Sequence, residues 1–218
     1  MGRVGDELAR PIMRALQDAS PNLKALADIP RKLRTKARGN QGSVRSIDRY
    51  DADARHIDVT TRRFTQNPEH RPEQFNDQLN EQIDTLENTS MADWVLNRVD
   101  YLRNGRPHDS VVEQELVRDA AHNDALREIM RENPGLDLAT ANRFVDQWME
   151  TQAALHRLDG IAGGNPTDVP RVGDGNVNSS LGRQWQERVA DLDAAVIDFM
   201  QQNPGVDLNT VFMNIHFR

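Results

Sequence analysis

His156 and Asp159, three residues apart, are the pair whose types and spacing best suit chemistry in this chain of 218 residues. Imidazole exchanges a proton near neutral pH, and a carboxylate beside it can bind a divalent cation or orient the ring. The apolar period through Leu138, Ala141, Val145, Trp148 and Leu155 predicts a helix that Gly160 ends. His156 and Asp159 would then share one helix face near its C-terminus. Carbonyls there carry partial negative charge, which with Asp159 would favour a cation and keep His156 basic. Two roles stay open for each residue: His156 as general base or metal ligand, and Asp159 as metal ligand or orienter of the imidazole. An ordinary helix-end ion pair is the plain alternative.

Beyond Gly160 the period lapses until Asn178, a glycine-rich stretch that reads as a long active-site loop with Ile161, Val169, Val172 and Val177 as anchors. Asp168 and Asp174, flanked by proline or glycine, are further candidate metal ligands. Asn178, Ser179 and Ser180 read as the opening of the last helix, where unclaimed N–H groups and hydroxyls suit a phosphate oxygen. If the loop folds back, a cation site faces an anion site, an arrangement suited to phosphodiester hydrolysis. A plain helix cap is the alternative for Asn178 to Ser180.

The elements that must position these residues read as helices throughout. Phe75, Leu79, Ile83 and Leu86 mark a helix over 73–88, and Met91, Trp94, Val95, Val99 and Leu102 a second one after Thr89 and Ser90. Ser110 and Glu113 read as a capping box opening a third, with Val112, Leu116, Ala120, Ile129 and Met130 inward. Leu181, Trp185, Val189, Leu192, Val196 and Met200 give the longest stripe. Two near-copies, Asn133-Pro-Gly-Leu-Asp-Leu138 and Asn203-Pro-Gly-Val-Asp-Leu208, read as helix-to-helix corners in which proline stops one helix and aspartate caps the next. No stretch shows sustained two-residue alternation. The expected fold is all-α, a multi-helix bundle-like domain over 72–218.

Composition narrows the chemistry. With no cysteine there is no disulfide, thiolate zinc site or cysteine nucleophile. Residues 1–71 carry 15 basic and 9 acidic side chains, net +6, and residues 72–218 carry 12 and 25, net −13. The body thus repels a polyanion, so an anionic substrate there needs a metal or local dipoles. Residues 1–71 are expected to be a basic, partly helical segment, with Leu8, Ile12, Leu16, Leu23 and Leu26 in short helices. Its run Arg31-Lys-Leu-Arg-Thr-Lys-Ala-Arg-Gly-Asn-Gln-Gly42 would serve loading, DNA contact or only a solvated linker. No run of about 18 apolar residues suggests a membrane span, and the N-terminus lacks the apolar stretch of a signal peptide. Synthesis in a cytoplasm and export by dedicated machinery are expected.

A wider string carries a resemblance. Ala154-Leu-His-Arg-Leu-Asp-Gly-Ile-Ala-Gly-Gly-Asn-Pro166, followed by Gly173-Asp-Gly-Asn-Val-Asn-Ser-Ser-Leu-Gly-Arg-Gln-Trp185, resembles the polymorphic toxin type 15 family, novel toxin 15. Its marks are H-x-x-D, then I-A-G-G, then an N-S-S-(I/L)-G-x-Q-W helix start. Gln78-Leu-Asn-Glu-Gln82, Leu86-Glu-Asn88 and Trp94-Val-Leu-Asn-Arg-Val-Asp-Tyr101 are similar to the family's earlier segment, so the resemblance covers about 72–190. Gly160 stands where the family has glutamine or methionine. The resemblance implies a DNase effector of interbacterial competition, made in a bacterial cytoplasm and delivered into target cells by a type VI secretion system or as the tip of a larger toxin. It also implies a cognate immunity protein and a carrier or adaptor. By position the H-x-x-D pair is His156 and Asp159, and the expected cofactor is a divalent ion, magnesium. A non-catalytic helical adaptor and a nuclease acting on RNA are the rival readings.

Overall fold

The computed structural model describes residues 49–105 and 107–218. The predicted short helices before residue 30 and the basic run Arg31–Gly42 lie outside the described residues. Five helices dominate what is described: α1 (Pro72–Asn88), α2 (Met91–Asn104), α3 (His108–Glu132), α4 (Leu138–Glu150) and α5 (Gly175–Gln202). Among the described residues no helix is long and apolar enough to cross a membrane.

Helix α5 is the central element. Its stripe Leu181, Trp185, Val189, Leu192, Val196 and Met200 is buried along its whole length. Each such side chain contributes about 1.5–3 kcal/mol on leaving water. Helix α1 starts on Pro72, where a missing N–H costs nothing. It buries Phe75 and Leu86 together with two glutamines, Gln78 and Gln82. Gln82 is buried because its Oε1 accepts from Trp185 Nε1 at 2.6 Å. Helix α2 is capped by Ser90, whose Oγ accepts from Asp93 N, and ends at Gly105 with φ 64°. It brings Met91, Trp94, Val95 and Val99 to the same core. Arg98 of α2 and Asp193 of α5 meet inside it through two bonds of 2.9 and 2.8 Å.

The all-α expectation is corrected: the described residues are mostly helical, with two small sheets. Strand β1 (Arg55–Thr61) pairs in parallel with β4 (Val211–Phe217), Arg55 opposite Val211 and Thr61 opposite Phe217. Alternation is present in β1 as Ile57, Val59 and Thr61, but seven residues are too short a run to outweigh the helical signals around them. A parallel pair requires a crossover, and here everything from residue 62 to residue 210 forms it. The folded body therefore includes residues before Pro72.

The second sheet bears on the site. Strand β2 (Gln152–Leu155) pairs antiparallel with β3 (Arg171–Asp174). The helix predicted through Leu155 in fact stops at Glu150, where the Thr151 hydroxyl and N–H both bond back to Trp148 O. Leu155 matches the helical period by accident of spacing, and pairing with β3 is what claims it. The stretch from Gly160 to Asn178 is likewise not one long loop. It holds a 3-10 turn (Gly160–Ala162), β3 and the first turn of α5.

The corner at Asn133 behaves as predicted, with Asp137 accepting from Thr140 N to cap α4. Its copy does not: Asp207 caps a single 3-10 turn, and the chain then enters β4. Helix α3 also departs from its prediction. It starts at His108 rather than Ser110, and Val112 and Leu116 face solvent, Leu116 at 58% exposure. Helices α3 and α4 form a hairpin that leans on β2 and β3, so the stripe on α3 finds no core.

Candidate active site

His156 leaves the end of β2, and Leu158, two residues later, is driven into the core. That anchor lets the residues on either side of it look back toward solvent, and both His156 and Asp159 are half-buried. The spacing of three thus works in a loop and not on a helix, and the argument from helix C-terminal carbonyls falls away.

Asp159 is held by its backbone oxygen and one carboxylate oxygen. Its Oδ1 accepts from Ile161 N at 2.9 Å, capping the 3-10 turn, and its backbone oxygen accepts from Ala162 N and Gly164 N. Trp94 Nε1 donates to Ala162 O at 2.7 Å in the core and clamps that turn from α2. The I-A-G-G run follows from this packing. Gly163 has φ 87° and a Cβ on it would lie 2.5 Å from Trp94 Nε1, while one on Gly164 would lie 1.9 Å from Leu158 O. The second carboxylate oxygen, Oδ2, faces α5, where a Cβ on Gly182 would come within 2.9 Å of it. Gly160 abuts the Tyr101 ring, 3.2 Å from where its Cβ would be.

His156 Nε2 lies 2.9 Å from Ser110 Oγ and 3.2 Å from Pro166 O. A carbonyl can only accept, so the tautomer that satisfies both contacts carries its proton on Nε2. Ser110 is fully buried and also accepts from Gln114 Nε2 at 3.0 Å. The serine predicted as a cap therefore positions the histidine. Sequence reasoning saw Ser110 only through its helix-start chemistry, and nothing in the spacing links residue 110 to residue 156.

Two hollows meet at the pair. One is lined by His156 and Asp159 with Asn97, Asp100 and Tyr101 of α2 and Ser110 of α3. The other is lined by His156 and Asp159 with Gln114 and Arg118 of α3, Gln152 of β2 and Asn178 of α5. Of the three residues assigned to phosphate, Asn178 alone joins the pair. Ser179 lines a separate hollow with Arg71 and Arg183, and the Ser180 hydroxyl accepts from Gln184. The helix does not open at Asn178 either. It opens at Gly175, and Asp174 Oδ1 accepts from Asn176 N and Val177 N at 2.9 Å each. Gly175 N donates to Thr151 O, so the first amides are already claimed.

The candidate metal ligands scatter in the same way. Asp174 is the cap of α5, and Asp168 pairs with Arg157 at 3.1 Å. Among the described residues no three histidine, aspartate or glutamate side chains converge where a metal ion could sit. A cage made wholly of such side chains therefore does not fit. Magnesium does not need one, because it keeps several waters and takes one or two carboxylates plus phosphate oxygens. Asp159, with Oδ2 bonded to no described donor, is the carboxylate of the pair that could meet that demand, and Asp100 lines the same hollow.

A mostly helical body that holds a histidine and an aspartate between two hollows, on a turn clamped by tryptophan, defines a class of site rather than one reaction. The family comparison narrows it: the profile described as novel toxin 15 matches residues 69–211, and the chain belongs to that toxin family. Among curated proteins none matches the chain.

Proposed function

We propose that this toxin domain is a metal-dependent DNase in which His156 and Asp159 act on a phosphodiester bond. The observation that carries the reading is their joint placement at the meeting of two hollows, each residue held by contacts that no exposed ion pair would need. In the proposed step a water oxygen bonds to phosphorus and one P–O ester bond breaks. His156 takes the proton from the water, and a proton returns through solvent to the leaving oxygen. Asp159 would hold the divalent ion, which when bound would supply charge neutralisation on the phosphoryl oxygens. Ser110 and Pro166 hold the imidazole in place through Nε2.

Membership of a toxin family supports, as further proposals, a cognate immunity protein and a secretion-system carrier or adaptor as partners, and delivery from the producer's cytoplasm into that of a target bacterium.

Plasmid cleavage by the purified protein, with and without a chelator, tests the reaction. His156→Ala and Asp159→Ala should each lower turnover by roughly a hundredfold or more, with helical content by circular dichroism retained. Groups that act as one unit are non-additive, so the double variant should be scarcely slower than either single one. Folded variants that still cut DNA at the unsubstituted rate would sink the assignment and favour a non-catalytic adaptor. Cleavage of RNA alone would keep the pair and change the substrate.

A further inference from the structure

We infer that Arg118 holds the scissile phosphate of the nucleic-acid substrate beside His156 and Asp159, an inference that rests on the nuclease reading above. Arg118 reaches from α3 into the hollow it shares with His156, Asp159 and Asn178. Folding fixes its guanidinium without neutralising it. One nitrogen, Nη1, donates to Gln152 O at 2.5 Å and the other, Nη2, to Met149 O at 3.2 Å. Both acceptors are neutral carbonyls, at the end of α4 and the start of the strand that leads to His156. Among the described residues no carboxylate lies within ion-pair distance of Arg118, although residues 72–218 carry net −13. The arginines next to His156 in sequence and on β3 are spent: Arg157 and Arg171 both pair with Glu81.

A planar guanidinium has five N–H donors in a fork that matches two phosphate oxygens. Two bonds to carbonyls hold the plane of the fork and leave donors for an anion. A cation kept rigid and uncompensated in a half-buried hollow is organised in advance for charge that arrives with substrate and grows as water adds to phosphorus. This also answers how an acidic body grips a polyanion at the point of reaction. The competing role is structural, since arginine often bonds the last carbonyls of a helix.

Arg118→Gln keeps an amide donor for a carbonyl and removes the charge, while Arg118→Lys keeps charge and donors but not the fork. Both are made in the full chain and assayed on supercoiled plasmid at saturating and limiting DNA. The Gln variant should lose about a hundredfold in kcat/KM, with the Lys variant clearly better than Gln and both melting near the unsubstituted protein. In a His156→Ala background, binding of a short fluorescent DNA duplex should weaken on Arg118→Gln. The slope of log Kd against log salt should fall by the equivalent of one neutralised phosphate, ~0.9. Gln cutting like the unsubstituted chain, or Gln and Lys losing activity equally and only in step with a lowered Tm, would reduce Arg118 to a helix clamp and overturn the inference. Failure of the unsubstituted chain to cut DNA or RNA would instead bring down the nuclease reading, and this inference with it.

Discussion

Gly182 puts a glycine in the interior of α5, where alanine would ordinarily be favoured by about 0.5–1 kcal/mol. The exception is explained by Asp159, whose Oδ2 occupies the space a Cβ would need. Gly182→Ala should therefore split stability from function. The carboxylate can swing away, so the melting free energy should change by less than about 1 kcal/mol. Plasmid cleavage should nevertheless fall at least tenfold, since displacing a reacting group by about 1 Å costs up to a hundredfold. Nicking at the unsubstituted rate with a normal melt would mean that the position of Asp159 against α5 is not part of the site. The same residue scale explains what could be read from composition and order alone. His156 and Asp159 carry chemistry in their types, but Ser110, Arg118 and Trp94 gain their roles from partners 46, 34 and 68 residues away along the chain.

At the scale of elements, the start of α5 decides between two readings of one motif. Asp174, offered as a metal ligand, spends Oδ1 on two helix amides, while Ser179 and Ser180 stand inside the helix. Asp174→Ala should cost about 1 kcal/mol, as loss of an N-cap does, and leave cleavage below the melting transition within a few-fold. Ser179→Ala and Ser180→Ala should leave the melt almost unchanged. A normal melt for Asp174→Ala combined with an abolished metal response in the cleavage assay would return Asp174 to the ion. What was legible here follows periodicity. The long stripe of α5 and the face of α1 could be read because burial repeats every three or four residues over several turns. Strands β2 and β3 could not, because four residues set no period and their identity comes from pairing with each other. Val112 and Leu116 misled in the opposite sense: the apolar spacing is real, but the α3–α4 hairpin offers it no core.

The whole molecule is closed by its two distant strands, and this changes what a truncation can test. Deleting residues 1–71 would remove β1, expose the partner edge of β4 and take away Phe64, which packs edge-on to Trp185 at 4.9 Å. It would also strip buried Arg188 of two acceptors, Arg62 O at 2.9 Å and Arg63 O at 2.6 Å. Burial already lowers the pKa of that guanidinium from its usual value. A buried charge that loses two of its acceptors, together with a lost strand and a lost core aromatic, is among the few changes that cost several kcal/mol, so this deletion should abolish the cooperative melt. Deleting residues 1–48 is the informative cut. It retains Arg49, which joins Glu87 at 3.0 Å and Asn214 at 2.8 Å, and leaves both strands intact. It also removes 10 basic and 5 acidic side chains, net +5, from a chain whose body repels DNA. The shortened protein should melt as the full chain does. Its affinity for duplex DNA should drop, and its dependence on salt should flatten by about 0.9 in log–log slope for each phosphate that the segment had neutralised. Fluorescence anisotropy with a labelled duplex over a salt series, in the His156→Ala background, measures both. An unchanged slope with an unchanged melt would assign the basic segment to loading or to a linker, and would leave the grip on DNA to the folded body, where Arg118 and a divalent ion are proposed to act.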